Sequence, residues 1–323
     1  MSKEKNTSQK RISKYDFAKG IAAILVIIYH NYTLYEQRSL IINTILSTLH
    51  NPLFFLVSGY LLSKSVKHYP KNELVKYKIV DLLLVSSIWV IVETFIFVIL
   101  NHDFSISYSL IKEGILWSAN RLWFLPVLYC AQILSILLYK SSFDKKVFIT
   151  SVLLWGMAGI IVGLYSTVLC KFLLFSLLVW LGINNIRSIK YCLFFYLLMI
   201  ICFVLTTFVA FTDFMVPGVK CSICMTIVFF GGYAAIYIIE TLPSIIIDNR
   251  IICFIGRYSI IYYILSVFSL VLFDSLENYS ISFGGMVLRI IINIVFSTCV
   301  AYLIGESILG KFLFRPSSLL KVK

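Results

Sequence analysis

The chain has 323 residues, of which 60% are hydrophobic and only 13% are charged, and its mean hydropathy is +0.94. A soluble domain of this length needs a charged coat of about a quarter of its residues, so the composition excludes that class. The net charge of +13 does not indicate nucleic-acid binding, because the basic residues occur in short loops rather than in one groove or stripe. We therefore expect a lipid bilayer, and no nucleic acid, as a partner of the protein.

Apolar runs long enough to cross about 30 Å of hydrocarbon recur along the chain. They are continuous rather than alternating, which favours helices over a closed barrel. The first run lacks a small-residue cleavage pattern and therefore predicts a helix rather than a signal peptide. The sequence thus predicts an all-α fold, a polytopic bundle of about ten transmembrane helices in the plasma (cytoplasmic) membrane. The predicted spans are residues 17–35, 41–62, 79–100, 122–139, 147–165, 168–183, 191–211, 223–240, 251–273 and 286–309.

The connecting segments alternate between loops rich in basic residues and loops poor in them (base-rich and base-poor loops). The loops after spans two, four and six carry lysines and arginines, whereas the loops between them carry few. By the positive-inside rule both termini face the cytoplasm, which agrees with an even number of spans. We expect a basic cytoplasmic arm at 1–14, a single membrane domain at 15–310 and a basic cytoplasmic tail at 311–323.

The cysteines fall mostly inside apolar runs. Cys221 and Cys224 form a lone CxxC, with neither a second pair nor a nearby histidine. Such a pattern is typical of membrane-buried thiols rather than of a metal or redox site. We therefore expect no metal cofactor.

The first span carries an unusual set of ionisable side chains. Lys19 and His30 are eleven residues apart, which places them on one helical face about 16 Å apart along the axis. Asp16, one turn before Lys19, continues that face, and between the charges it carries small or apolar residues, Ala22, Ala23 and Ile27. The pattern predicts a molecule bound by its anionic end at Lys19 that presents its other end to His30. The alternative is structural, because a lysine near a helix end can snorkel to the headgroups and a histidine can be a satisfied hydrogen-bonding group.

Three further stretches follow in the chain. Span two contains Pro-Leu-Phe-Phe-Leu-Val-Ser-Gly-Tyr at 52–60, span four begins Arg-Leu-Trp-Phe-Leu-Pro at 121–126, and span nine holds Ile-Gly-Arg-Tyr-Ser-Ile-Ile-Tyr at 255–262. Together with the Asp16, Lys19 and His30 pattern, and in this order, they resemble the acyltransferase 3 family of polytopic membrane O-acyltransferases. The resemblance covers most of the chain.

The resemblance implies roles for particular residues. His30 matches the catalytic histidine, Asp16 the first-span acid and Lys19 the basic donor-binding position. The remaining matches suggest donor contacts at Ser58, Gly59 and Tyr60. They suggest acceptor contacts at Trp123, Ser259 and Tyr262, of which the last two belong to the same ninth-span group as Gly256. Glu93 and Arg289 are further intramembrane charges, for which structural pairing and acceptor binding both stay open.

The chain departs from the family pattern in three places. The usual first-span arginine is Lys19, which keeps the charge but lacks a bidentate fork for phosphate. The arginine-rich segment after span two is represented only by lysines. The histidine that many members carry in span nine is Ser266, so a second histidine is missing there. We place His30 alone deep within a span, and His50, His68 and His102 at span ends or in loops.

These observations predict a membrane O-acyltransferase. It would move an acetyl or other short acyl group from a cytoplasmic acyl-coenzyme A to a hydroxyl of a cell-envelope carbohydrate or lipid-linked acceptor. His30 would act as general base or as transient acyl carrier. The chain would complete the transfer itself or hand the acyl group to a separate extracytoplasmic partner. The alternative function is a polytopic transporter or exporter of an envelope polysaccharide precursor.

Overall fold

The computed structural model describes residues 13–35, 37, 39–100, 108–139, 167–184, 193–198, 200–201, 217–276 and 282–320. These residues are helical and form no extended strand, which confirms the predicted all-α class for the described part of the chain. The fifth predicted span, 147–165, and most of the seventh, 191–211, lie outside the described residues.

The helices follow one another with short connections. They are α1 (Ser13–Tyr32), α2 (Leu40–His68), α3 (Lys71–Lys78), α4 (Val85–Leu100), α5 (Tyr108–Arg121), α6 (Phe124–Leu138), α7 (Thr167–Ile183), α8 (Pro217–Thr241), α9 (Ser244–Ile247), α10 (Arg250–Arg257), α11 (Ser259–Leu276), α12 (Phe283–Ile304), α13 (Ile308–Phe314) and α14 (Ser317–Leu320). A π-helical segment, Ile79–Leu84, joins α3 to α4.

Several of these helices are suited to a bilayer. Among the described residues, Ile41–His68, Lys71–Ile99 and Phe283–Ile304 are each long and apolar enough to cross one, and two bent helix pairs raise the number to five. Helix α1 is not among them, since its polar ends dilute its apolar middle. The count of ten spans and the cytoplasmic termini therefore stay predictions. Outward-facing side chains of α12, such as Leu303 at 74% exposure, favour a lipid environment because such surface is costly in water.

Helix α1 lies at the centre of the described bundle. It packs against α2, α10, α11 and α12. Ala22, Ala23 and Ile27 are fully buried there, so the small side chains of this face admit neighbouring helices. The approach to α10 is closest at Gly256, where an added methyl group would collide with the carbonyl oxygen of Asp16.

Three segments differ from the prediction, and one of them is α5 (Tyr108–Arg121), a helix within the predicted loop between spans three and four. The segment after α2, predicted as a lysine-bearing loop up to residue 78, is helical from Lys71 onward and continues through the π-helical segment into α4. The ninth span, predicted as one helix, bends by 76° between α10 and α11. Tyr258 at the bend has φ −106° and ψ 23°, which interrupts the helical hydrogen-bond ladder. Hydropathy alone does not record such a break, because both halves are apolar.

Candidate functional site

A cavity of about 300 Å³ lies where the start of α1 meets α6 and the bend between α10 and α11. Four cationic side chains line it, and they come from four separate segments: Lys19, Lys78, Arg257 and Arg315. Asp81 is the one carboxylate among the lining residues. This excess of positive charge in a partly enclosed space favours an anionic ligand.

Lys19 reaches this cavity from α1 and is held by a carboxylate. Its Nζ lies 3.1 Å from Oδ1 of Asp16, and the two side chains are only 19% and 10% exposed. Because Asp16 stands one turn earlier on the same helix, the pair forms without any help from tertiary structure. The carboxylate therefore fixes the direction of the ammonium group while Lys19 still lines the cavity.

The remaining walls of the cavity combine hydroxyls with aromatic rings. Ser58 and Ser259, both predicted from the sequence, line it, and Ser58 Oγ donates a hydrogen bond to the carbonyl of Phe55 at 2.8 Å. The rings of Phe124 and Tyr263, which both line the cavity, pack against each other with their centroids 4.9 Å apart. They form an aromatic part of the cavity wall.

A second polar centre is built around His30. Tyr263 connects the two, since its ring lines the cavity while its hydroxyl donates to the carbonyl of Arg121 at 3.2 Å. One turn further along α11, Ser266 Oγ lies 3.3 Å from Nδ1 of His30. Lys19 therefore lies toward the end of α1 that reaches the cavity, and His30 lies toward the other end of the same helix.

The hydrogen bonds of Ser266 favour one tautomer of His30. Ser266 has a single hydroxyl proton, and the carbonyl of Tyr263 accepts it at 2.7 Å. With that proton used, the serine oxygen accepts in its 3.3 Å contact with His30, which places the proton on Nδ1 in this tautomer. Nε2 consequently keeps its lone pair, as a general base or a nucleophile requires.

A second histidine lies close to the first, which corrects the sequence analysis. His50 lies well inside α2 rather than at a span end, and it is only 2% exposed. Its Nδ1 donates to the carbonyl of Leu46, and its ring centroid lies 4.8 Å from that of Tyr29, the neighbour of His30. The two imidazoles are close enough to interact electrostatically. Although Ser266 replaces the family's span-nine histidine, a different element therefore supplies a second imidazole.

Two ionisable side chains complete this inner centre. Glu93 is fully buried, and among the described residues neither of its carboxylate oxygens has a hydrogen-bond partner. Arg121 interacts electrostatically with both Glu93 and His30. The sequence analysis gave Arg121 no role beyond opening the stretch 121–126, whereas these interactions place it in this centre.

Other predicted site residues pack between helices. An added methyl on Gly59 would collide with the backbone of α7 near Gly182, so this glycine permits a close helix crossing. Tyr60 is 1% exposed and stacks on Tyr15 with ring centroids 5.7 Å apart. Their roles in donor binding stay predictions.

The predicted acceptor contacts are similarly dispersed. Tyr262 is fully buried, with its hydroxyl 2.8 Å from that of Thr298. Trp123 stands at the junction of α5 and α6, and its ring lies 5.9 Å from that of Phe175. Arg289 is 9% exposed within α12. The structure does not bring these three side chains into the cavity lined by the cations.

Sequence reasoning missed three of the four cavity cations. Arg257 stands inside the quoted stretch 255–262, next to Gly256, so its position in that stretch was the available signal. Lys78 and Arg315 were read as loop and tail charges, which in a membrane protein ordinarily report topology alone. Only the packing of distant segments reveals that they share a cavity with Lys19.

Comparison with known proteins gives one finding. The sequence model of the acyltransferase 3 family, described as an acyltransferase domain, matches residues 12–306. Neither the curated proteins nor the solved structures include a significant match to the chain. The matched region contains both histidines and three of the four cavity cations, and it ends shortly before Arg315.

Proposed function

Because the chain belongs to the acyltransferase 3 family and is a membrane acyltransferase, we propose that its donor is an acyl-coenzyme A carrying an acetyl or other short acyl group. The acceptor is a hydroxyl of a cell-envelope carbohydrate or of a lipid-linked precursor. The observation that supports this proposal most directly is the arrangement along α1. Lys19 stands in a cation-lined cavity at one end, and His30 stands in a second polar centre three turns further on.

The cavity suits the phosphates of coenzyme A. Arginine forks and lysine ammonium groups are the side chains that bind phosphate most strongly. A volume of about 300 Å³ is at the small end of ligand pockets, so it holds part of such a donor rather than all of it. The phosphates would bind among the cations, and the thioester arm would pass Phe124 and Tyr263 toward His30.

The chemistry at His30 follows from its tautomer. Nε2 takes the proton of the acceptor hydroxyl as the oxygen attacks the thioester carbonyl, and the new carbon–oxygen bond forms a tetrahedral oxyanion. The carbon–sulfur bond then breaks, and the leaving thiolate receives the proton from Nε2. Arg121 is positioned to stabilise the negative charge that develops next to His30. In a second route Nε2 itself attacks the thioester carbonyl, and the carbon–sulfur bond breaks to release the coenzyme A thiolate. The acceptor hydroxyl then attacks the acylated imidazole, the nitrogen–carbon bond breaks, and the hydroxyl proton passes to the thiolate.

Acceptor binding belongs on the far side of His30 from the cavity. Glu93 of the inner centre is a candidate acceptor contact, since among the described residues its carboxyl oxygens have no hydrogen-bond partner and can accept a hydrogen bond from a sugar hydroxyl. The plasma membrane is the proposed location, and a separate extracytoplasmic partner remains an alternative route for the final transfer. A transporter or exporter of an envelope precursor has no support from the family match.

Mass spectrometry of envelope carbohydrates tests the proposal. Cells that carry the wild-type protein should show sugars heavier by one acyl group, and cells that carry His30→Gln at the same membrane level should not. The rate of transfer should fall by about 100-fold or more in the variant, because it loses its general base. Wild-type acylation with His30→Gln would remove both roles of the imidazole. Unmodified carbohydrates in both strains, with no coenzyme A released by the wild type, would overturn the proposed reaction.

A further inference from the structure

The segment that follows α12 folds back onto the cation-lined cavity. Helices α13 and α14 lie there, and Phe314, at 1% exposure, lines the cavity next to Arg315. The sequence predicts only a basic tail at 311–323, with no role in a site. The structure makes residues 314 and 315 part of a wall.

Three hydrogen bonds attach this wall to distant helices. Trp89 of α4 donates through Nε1 to the carbonyl of Leu313 at 3.2 Å. The backbone N–H and the hydroxyl of Ser317 donate to the two carboxylate oxygens of Asp81, at 2.9 and 2.6 Å. Asp81 belongs to the π-helical segment that also follows Lys78, so the tail is attached beside another cavity cation. Both oxygens of the cavity's one carboxylate are occupied by Ser317.

The guanidinium of Arg315 is oriented by its neighbours. It lies over the ring of Tyr258 at 5.1 Å, and its Nη2 donates to Glu306 Oε1 at 3.1 Å and to the carbonyl of Gly305 at 3.3 Å. The Tyr258 hydroxyl donates to the same carboxylate oxygen at 2.7 Å. This hydrogen bond lowers the pKa of Glu306 below its usual range, and the hydrogen bond and positive charge of Arg315 act in the same direction.

These contacts leave part of the arginine fork available. A guanidinium carries five N–H donors, and among the described residues the contacts of Arg315 run through Nη2. The N–H groups of Nη1 and Nε can therefore donate to a ligand in the cavity. Each of them can give one charge-assisted hydrogen bond to a phosphate oxygen.

We infer that Arg315 is a donor-binding residue and that the C-terminal segment 305–320 forms one wall of the donor site. The ligand group is a phosphate of the coenzyme A nucleotide, which Arg315 binds together with Lys19, Lys78 and Arg257. This inference rests on the proposed function, because it deepens the description of the same donor site.

Binding of coenzyme A to the full-length protein in lipid nanodiscs, followed by calorimetry, tests the inference. Arg315→Gln should weaken binding by about tenfold or more, as expected for loss of a charge-assisted bond, and Arg315→Lys should recover part of it. Lys311→Gln is the matched control, since it removes the same charge from the same segment but does not line the cavity. Its affinity should stay within about twofold of the wild type. Dephospho-coenzyme A, which lacks the ribose phosphate, shows which phosphate Arg315 binds. If Arg315→Gln weakens its binding as much as that of coenzyme A, Arg315 binds the diphosphate. If Arg315→Gln no longer weakens binding, Arg315 binds the ribose phosphate.

The outcomes separate this inference from the proposed function. If the wild type fails to bind coenzyme A, the proposed donor is wrong. If the wild type binds and Arg315→Gln binds equally well, only the inference is wrong. If Arg315→Gln lowers the thermal midpoint of the unliganded protein, Glu306→Gln separates a lost ligand contact from a lost ion pair. This variant removes the ion pair but keeps the arginine. Donor affinity near wild type in Glu306→Gln supports the inference, and a loss as large as that of Arg315→Gln overturns it.

Discussion

Ser266 favours the tautomer of His30 in which Nε2 keeps its lone pair, because its own proton is donated to the carbonyl of Tyr263. We expect Ser266→Ala to lower kcat by about 2- to 10-fold, the worth of one neutral hydrogen bond. The donor KM should stay unchanged, since Ser266 does not line the cavity. Steady-state kinetics with purified protein measure both constants.

Ser269→Ala is the matched control for this change. Ser269 is one turn further along α11, where it donates to the backbone carbonyl of Ser266 and accepts from Asn293. Its removal deletes the same hydroxyl from the same helix without touching the contact with His30. Equal losses of kcat in both variants would show that Ser266 acts through packing rather than through the imidazole.

Lys19 lies at the other end of α1, and we expect its substitution to change the donor KM rather than kcat. Lys19→Ala should raise the donor KM by about tenfold or more, because a charge-assisted contact with a phosphate is lost and Asp16 loses its ion pair with Lys19. Lys19→Arg should keep most activity, since it preserves the cation. Initial rates over a range of acyl-coenzyme A concentrations provide the test. An equal loss in both variants would indicate a packing role and remove the phosphate interpretation.

Helical periodicity was sufficient to place Asp16, Lys19 and His30 on one face, because all three lie on one helix. It was insufficient for the partners of that face. Arg315 and Lys78 approach Lys19 only through tertiary folding. The Ser266–His30 contact likewise joins residues 236 positions apart.

At the scale of the elements, the crossing of α1 and α10 fixes the distance between Lys19 and Arg257. Gly256 lies against the backbone of Asp16, and Gly20 lies against the backbone of Ile252. We expect Gly256→Ala to destabilise the protein by about 1–3 kcal/mol, the usual cost of overpacking. The thermal midpoint in detergent should fall accordingly, and the donor KM should rise as the two helices separate.

Gly284→Ala provides the matched control for this substitution. Gly284 is in the first turn of α12, where an added methyl group meets nothing within 4 Å. The same chemical change there should leave the thermal midpoint unchanged or slightly raised, because alanine has the higher helix propensity. A similar loss of stability in both variants would contradict the role given to the α1–α10 crossing.

The bend between α10 and α11 shows where element prediction from hydropathy ends. The sequence predicts one span over 251–273, because apolar residues run through it without a proline or a glycine pair. The backbone nevertheless turns at Tyr258, which is anchored by Glu306 and by the ring contact with Arg315. Partners that come from the end of α12 are not visible within the span's own sequence.

At the scale of the whole molecule, the four cavity cations share one feature of topology. Lys19, Lys78, Arg257 and Arg315 all lie near helix ends that the positive-inside rule assigns to the cytoplasm. The charges that orient the protein in the membrane would therefore also bind a cytoplasmic anionic donor. His30, three turns further along α1, then lies toward the side from which an envelope acceptor arrives.

This arrangement requires a particular topology, which reporter fusions can measure. A reporter placed after Gln37 or Asp103 should score as external, and one placed after Lys67 or Lys145 should score as cytoplasmic. The reason is that the loops near Lys67 and Lys145 are base-rich, whereas the alternate loops are base-poor. A fusion at the C-terminus should agree with Lys67, because Arg315 must share a side with Lys78 to enter the same cavity. If Lys67 and Asp103 scored on the same side, the topology would be wrong. If the C-terminus scored as external, the cavity could not receive a cytoplasmic donor.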